Sequence, residues 1–251
     1  MTISNRESLA IVMSNVLALI PARSGSKGIP RKNFRLIDGR SSPTQLAVDC
    51  ARAVTEHIVV SCDIPLDFRD APCPMYQPFF RPPALAQDDT PMIDVVQHAL
   101  REIPGPEEQI IVLVQPTQPL REPKHLTAAI DLLRETQADS VVSVVELPLT
   151  HSPDAQVVIR GGRLEPYVKV TGPEDWWSRV YMRQHYEQTW VRDGTCYCFY
   201  RRTVNLFGNI YGHDCRPLFV PASESCPLDT EDDWREAERR LRDREAMQPL
   251  R

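Results

Sequence analysis

The chain has 251 residues, 42% of them hydrophobic and 25% charged, with a formal net charge of −5 and a pI near 5.7. That length can bury the core of one large α/β domain, or of a domain with a small appendage. The acidic balance excludes the basic surface that nonspecific nucleic-acid binding needs and points to small-molecule chemistry.

Residues 1–14 read as an extension ahead of the first strand. LAIVMSNVLALIPA looks like a secretory leader at a glance, but Ser14 and Asn15 interrupt its apolar run and Met13 offers an alternative start. No segment has the apolar length of a membrane span. Buried-strand runs of β-branched character follow at Val16–Ile20, His57–Ser61, Gln109–Val114 and Ser140–Val145, separated by helical stretches at Pro43–Thr55, Pro91–Glu102 and Lys124–Thr136. Strands without polar alternation, spaced by helices, predict a parallel sheet covered on both faces. Ligands of such sheets bind beyond the carboxyl ends of the strands. Two loops lie there: Arg23–Asn33, and QPTQPLR at Gln115–Arg121.

From about Leu147 the pattern changes. VVIRGGRLEPYVKV predicts an antiparallel hairpin turning at Gly161-Gly162, and the aromatic segment PEDWWSRVYMRQHYEQTW follows it. Residues 147–192 are thus expected to form an arm, with 15–146 and 193–251 making the main domain. TCYCFYRR returns to strand character, with Cys196 and Cys198 on one face. DTEDDWREAERRLRDREAM is a helix, its acidic first turn suited to the helix dipole. The seven cysteines (50, 62, 73, 196, 198, 215 and 226) include no Cys-x-x-Cys pair. They read as reduced thiols of a cytoplasmic protein rather than a disulfide frame or zinc site.

Basic side chains are almost all arginine, yet two of only four lysines, Lys27 and Lys32, fall in the single loop RSGSKGIPRKN. Ser24, Gly25, Ser26 and Gly28 let backbone amides approach an anion. Lys27 adds a mobile charge, Arg23 a planar fork and Lys32 a second ammonium. This chemistry suits a triphosphate, although neither GxxxxGK[ST] nor GxGxxG is present. A solvated turn with incidental cations is the plainer alternative.

ALIPARSGSKGIPRKN resembles the signature of the acylneuraminate cytidylyltransferases, the CMP-sialic acid synthetase family. The similarity continues through SCD at 61–63, FFRPPALAQDDT at 79–90, VLVQPTQPLR at 112–121, RQ at 183–184, DGTCY at 193–197 and LDTEDDW at 228–234. The resemblance implies a Rossmann-like three-layer α/β sandwich of the nucleotidyltransferase type, a mostly parallel sheet and a small dimerisation arm. It implies transfer of CMP from CTP to an acidic acceptor, release of pyrophosphate, a Mg²⁺ requirement and a homodimer, with no nucleic acid or membrane partner. By position, Arg23, Lys27 and Lys32 are the catalytic cations. Ala22, Ser24, Gly25, Ser26 and Asn33 complete the phosphate loop, and Arg81 with Asp88 and Thr90 recognises cytosine. Gln115, Arg183, Tyr197 and Tyr211 face the acceptor, and Asp229 binds the metal.

Departures from the family pattern cluster on the metal and acceptor side. Pro227 stands where an aspartate is usual, Asp193 replaces an asparagine, Gln118 replaces a serine, and the helix after the second strand is shortened to IPLDFRDAP. Two acceptors therefore compete, a nonulosonic sugar acid and a small phosphonate such as phosphonoformate. A catalytically weak CTP- or CMP-binding regulatory protein is the alternative of another class, and use of a different NTP is a third. Plainer roles also stand beside the assigned ones. Asp229, Thr230 and Asp233 form a helix cap pattern, Arg121 suits a surface ion pair, Arg81 a stiffened loop and Tyr197 a core strand. Trp176 and Trp177 suit an interface or core, Lys169 a solvated hairpin, and the six histidines surface or structural positions.

Overall fold

Val16–Ala22 (β1) is buried along its whole length, as a parallel strand covered on both faces must be. In the computed structural model, which describes residues 15–64, 76–167 and 186–247, β1 pairs in parallel with His57–Cys62 (β2) and with Ile110–Leu113 (β4). Between them in the chain lie the helix Pro43–Ala51 (α1), the strand Tyr76–Phe80 (β3) and the helix Met92–Glu102 (α2). Pro123–Thr136 (α3) leads to Ser140–Glu146 (β5), then to the hairpin Val157–Arg160 (β6) and Arg163–Pro166 (β7). Trp190–Tyr200 (β8), Arg201–Phe207 (α4), Cys215–Phe219 (β9) and Glu231–Met247 (α5) complete the described elements.

The sheet order is β3-β2-β1-β4-β8-β5-β9, and β8 alone runs antiparallel to its neighbours. Alternation along each strand sends side chains to two separate cores. One collects Ala18, Ile20, Val112, Cys196 and Cys198 under α1 and α3. The other collects Leu17, Leu19, Leu113 and Phe199 under α2 and α4. This is the expected three-layer sandwich. A third, smaller core joins Ile29 of the first loop, Leu120 of the loop after β4, and Leu228 and Trp234 of the carboxyl-terminal segment.

The expected hairpin turns at Gly161-Gly162, both with positive φ. Three features differ from the sequence expectation. β3 and β9 are additional strands, both at sheet edges and both carrying proline, which cannot donate to a ladder and so settles at edges. Residues 190–192, expected in the arm, lie in the main sheet as the start of β8. Residues 1–14, most of IPLDFRDAP, and 168–185 with Lys169, Trp176, Trp177 and Arg183 lie outside the described residues.

All six described cysteines are free. Burial pushes the Cys50 thiol up to about 11 and Cys196 to about 12, and Cys198 rises well above its ordinary value. Thiolate is the reactive form, so native labelling with a maleimide at pH 7.5 is expected to modify the exposed Cys215 and spare Cys50, Cys196 and Cys198 until unfolding. Peptide mapping by mass spectrometry checks this, and fast labelling of Cys196 in the native protein would contradict the described core.

Candidate active site

Beyond the carboxyl ends of β1 and β4 lies a cleft of about 200 Å³ lined by Arg23, Gly25, Ser26, Lys32, Asn33, Arg81, Met92 and Gln115, among others. A larger cavity of about 450 Å³ sits at the opposite end of the sheet, beside Gly105 and Arg201. There the Arg201 guanidinium is already committed to Leu100 O, Ile103 O and Gln109 Oε1. Of the sequence-assigned residues, the smaller cleft gathers Arg23, Gly25, Ser26, Lys32, Asn33, Arg81 and Gln115 but is not lined by Lys27, Asp88, Thr90, Tyr197, Tyr211 or Asp229, and it stands where ligands of open α/β sheets bind.

The first loop is pinned at both ends. At its start, the Asp63 carboxylate accepts from Ser24 N at 2.7 Å and Ser24 Oγ at 2.8 Å. Ser24 is therefore an anchor to β2, and its amide is not available for a phosphate. Asp63 closes the SCD motif, and nothing in its local sequence signals this anchoring role. At the loop's end, Asn33 Nδ2 donates to Arg23 O at 2.9 Å, and Lys32 Nζ donates to Leu228 O at 2.5 Å and lies 3.3 Å from Asp229 Oδ1. Between the pins, Gly28 passes so near Asp229 that an added Cβ would lie 2.6 Å from Asp229 O. Among the described residues, the amides of Gly25, Ser26, Lys27 and Gly28 form no hydrogen bond.

Two of the loop's cations converge on one anion. Asp88 holds Arg23 Nη1 at 2.5 Å and Lys27 Nζ at 2.8 Å. These contacts, Lys27's first, keep the Asp88 carboxyl below its ordinary value, and Lys27 is correspondingly raised. A group with a depressed pKa loses its partner interaction only as pH falls through that lowered value, so the clasp is closed at neutral pH. Asp88, assigned to cytosine, thus faces the phosphate cations in this structure. Thr90 N donates to Gln87 O at 3.4 Å.

Arg81 is 3% exposed. It donates to Ser61 O at 2.9 Å and Leu85 O at 3.4 Å, and burial holds its guanidinium below the usual value. Its Nε and the Asn33 Oδ1 are both buried and, among the described residues, without partners. Unpaired buried polar atoms are costly, and these two belong to residues lining the cleft. They offer a donor and an acceptor suited to a base edge.

Tyr197 and Tyr211 meet edge-on at 6.5 Å between ring centroids and pack against the second core, as does the cleft-lining Met92. Burial is the main cause raising the Tyr197 phenol. Gln115 Oε1 lies 2.9 Å from where a Cβ on Gly194 would stand. Arg121 is not the surface ion pair that its sequence context suggested. It is buried, donating from Nε to Thr195 O and from Nη2 to Gln115 O and Gly194 O. Gln118 is likewise structural, taking Cys226 N at 3.0 Å on its carbonyl while its amide donates to Asp193 O.

Thr230 and Asp233, not Asp229, cap α5. Asp233 Oδ2 accepts Thr230 N at 2.7 Å, and Thr230 Oγ1 accepts Asp233 N at 3.2 Å. The Asp229 carboxylate is left 78% exposed beside Lys32. Mg²⁺ commonly takes one or two protein carboxylates with substrate phosphates supplying the rest, so Asp229 beside an anion-binding loop fits that ion. Among the described residues, no cluster of three or more His, Cys, Asp or Glu is poised to hold a metal.

A sequence profile described as cytidylyltransferase matches residues 17–158. The chain is 27% identical over 229 residues to the CMP-N,N'-diacetyllegionaminic acid synthase of Legionella pneumophila, covering 87% of this chain and 93% of that protein. It is 26% identical over 235 residues to the N-acylneuraminate cytidylyltransferase of Oncorhynchus mykiss, covering 90% of this chain but 50% of the fish protein. Among solved structures, the CMP:2-keto-3-deoxy-manno-octonic acid synthetase complexed with CTP superposes with a TM-score of 0.62 at 14% identity, over 91% of this chain and 99% of that one.

Two substitutions probe this scaffold. Gly28→Ala forces the loop away from Asp229 O, and CTP affinity is expected to fall at least tenfold by calorimetry, with little change in melting temperature. Arg121→Met leaves three carbonyls without their buried donor and is expected to cost about 3 kcal/mol in urea unfolding; a loss below about 1 kcal/mol would show that Arg121 does not secure the site.

Proposed function

The chain belongs to the cytidylyltransferase family of CTP-dependent nucleotidyltransferases, and from that premise we propose that it transfers CMP to a nonulosonic, sialic-type sugar acid. The observation that carries the assignment of residues is the convergence of Arg23, Lys27 and Lys32 on one loop, with two of them already gripping an anion in Asp88. The triphosphate would displace Asp88 from Arg23 and Lys27 and take the free amides of Gly25–Gly28. Cytosine would meet Arg81 Nε and Asn33 Oδ1. The relatives' names support a sugar acid over a small phosphonate, since one is a legionaminic acid synthase and another an N-acylneuraminate cytidylyltransferase.

The chemistry needs no protein nucleophile. The acceptor hydroxyl oxygen forms a bond to the α-phosphorus, releasing its proton to solvent, as the bond to the pyrophosphate oxygen breaks, so negative charge grows on the leaving group. Cations and amides fixed beforehand around that charge supply the stabilisation. Asp229 would hold Mg²⁺, which when bound neutralises part of the phosphate charge. Gln115, Tyr197 and Tyr211 would orient the acceptor, and Arg183 would join them from outside the described residues.

A homodimer is supported by the hairpin. A lone two-stranded hairpin is marginal in water, yet this one exposes Val157, Ile159, Leu164 and Tyr167, with Ile159 75% exposed. A partner's surface would cover them. Among the described residues no helix is long and apolar enough to cross a membrane, and a cytoplasmic setting agrees with the free thiols.

The test is pyrophosphate release from CTP with Mg²⁺, comparing N-acetylneuraminate with phosphonoformate and each of the other three NTPs with CTP. Turnover of the sugar acid with CTP is expected. Turnover of phosphonoformate alone would overturn the acceptor, and binding of CTP without any turnover would favour a regulatory protein. Lys27→Ala is expected to lower kcat/KM by at least a hundredfold with an unchanged fold by circular dichroism. Asp229→Asn is expected to raise the Mg²⁺ requirement without changing the melting temperature, since the cap belongs to Thr230 and Asp233.

A further inference from the structure

β5 and β8 pair in two stretches separated by a break in register. Val142 opposes Tyr197, whereas Val144, two residues along β5, opposes Arg192. Positions two apart on a strand face the same side, so Arg192 and Tyr197 share a face although five positions separate them in sequence. Strict alternation would instead send Arg192 to the side of Cys196 and Cys198, into the core under α1 and α3. The bulge at residues 193–196 re-aims it, a recognised use of bulges near active sites.

The bulge is firmly built. Gly194 adopts φ +77°, a conformation that favours glycine. The Asp193 carboxylate accepts Thr195 N at 3.1 Å and also the Thr195 hydroxyl. The carbonyls of Asp193, Gly194 and Thr195 are taken by Gln118 and Arg121. What this arrangement delivers is Arg192. Its Nη1 donates to the Tyr211 hydroxyl, and its Cζ lies 5.5 Å from the Tyr211 ring centroid. Tyr211 in turn meets Tyr197 edge-on, and both pack against the same buried cluster as Met92, a residue that lines the cleft together with Gln115. Arg192 is exposed, and among the described residues it has no carboxylate partner, although arginines elsewhere on the surface are commonly paired.

We infer that Arg192 receives the carboxylate of the acceptor and makes the enzyme selective for an acid over a neutral sugar. This rests on the sugar-acid acceptor proposed above. The guanidinium keeps its charge at any physiological pH and offers a planar fork that matches a carboxylate. One N–H is held by Tyr211, which orients the fork and leaves the other donors for ligand. The departures at Asp193 and Gln118 then gain a common purpose, because both secure the bulge that presents Arg192.

The experiment compares wild type, R192Q and R192K with N-acetylneuraminate, with its methyl ester, and with N,N'-diacetyllegionaminate as a second acid. For R192Q the KM of the acids is expected to rise roughly ten- to hundredfold, the size of a lost charged hydrogen bond. The preference for acid over ester is expected to collapse, while the KM for CTP and calorimetric CTP binding stay within about twofold. R192K is expected to restore part of the acid preference. An unchanged acid KM and acid-to-ester ratio in R192Q, with wild type active, would overturn the inference alone. Wild type that binds CTP but turns over neither acid would overturn the acceptor assignment beneath it.

Discussion

The buried guanidinium of Arg121 is the constraint on which the site's geometry depends. Arginine cannot shed its proton in a protein, so burial obliges it to find acceptors. It finds the carbonyls of Gln115, Gly194 and Thr195. Those three belong to the loop after β4 and to the bulged part of β8, so one side chain fixes the carboxyl end of a parallel strand against an antiparallel intruder. A lysine, with a single nitrogen, could not span the same carbonyls. The loop that carries Arg121 also fastens the carboxyl-terminal segment: Leu228 N bonds Thr117 O at 2.9 Å, and Arg244 Nη1 bonds Leu120 O at 2.7 Å.

The two halves of the cleft are built on different principles. The phosphate loop is held at its ends by Asp63 and by the Leu228 carbonyl and is left with free amides and cations between, which suits a ligand that brings its own dense charge. The half proposed for the acceptor is shaped by a strand defect and carries two tyrosines, a glutamine and an arginine. The small core of Ile29, Leu120, Leu228 and Trp234 joins the first loop, the loop after β4 and the carboxyl-terminal segment. Arg35 lies over the Trp234 ring at 4.5 Å and pairs with Glu231 at 2.7 Å, tying α5 to the end of the phosphate loop.

The central strands and the helices over them were legible because long β-branched runs and helical stretches are strong local signals. β3 and β9 were not, since YQPFF and CRPLF are short and each holds a proline, the usual mark against a strand. The cations of the first loop were legible as types, but not their pairing with Asp88, which is 56 residues beyond Lys32 in sequence and is set by tertiary structure. Arg121 misled because an arginine in a polar loop is ordinarily solvated, and only the antiparallel entry of β8 buries it. Arg192 could not be found by alternation, because alternation is what the bulge breaks. The one available hint was the Asp-Gly step at 193–194, a turn signal inside an otherwise continuous strand.

Pro227 replaces an expected carboxylate, and its consequence follows from the neighbouring groups. Capping of α5 falls to Thr230 and Asp233, so Asp229 is spared that task and keeps its oxygens exposed. Lys32 stands 3.3 Å away and supplies a positive charge beside that carboxylate. A single carboxylate gives Mg²⁺ a weaker hold in the absence of nucleotide, because substrate phosphates must then complete its ligands. On the proposed assignment of Asp229 to the metal, the chain would take Mg²⁺ together with CTP rather than ahead of it. On that proposal, Pro227 would shift work from the protein to the substrate, while the cationic first loop, the bulge and Arg192 are built without it.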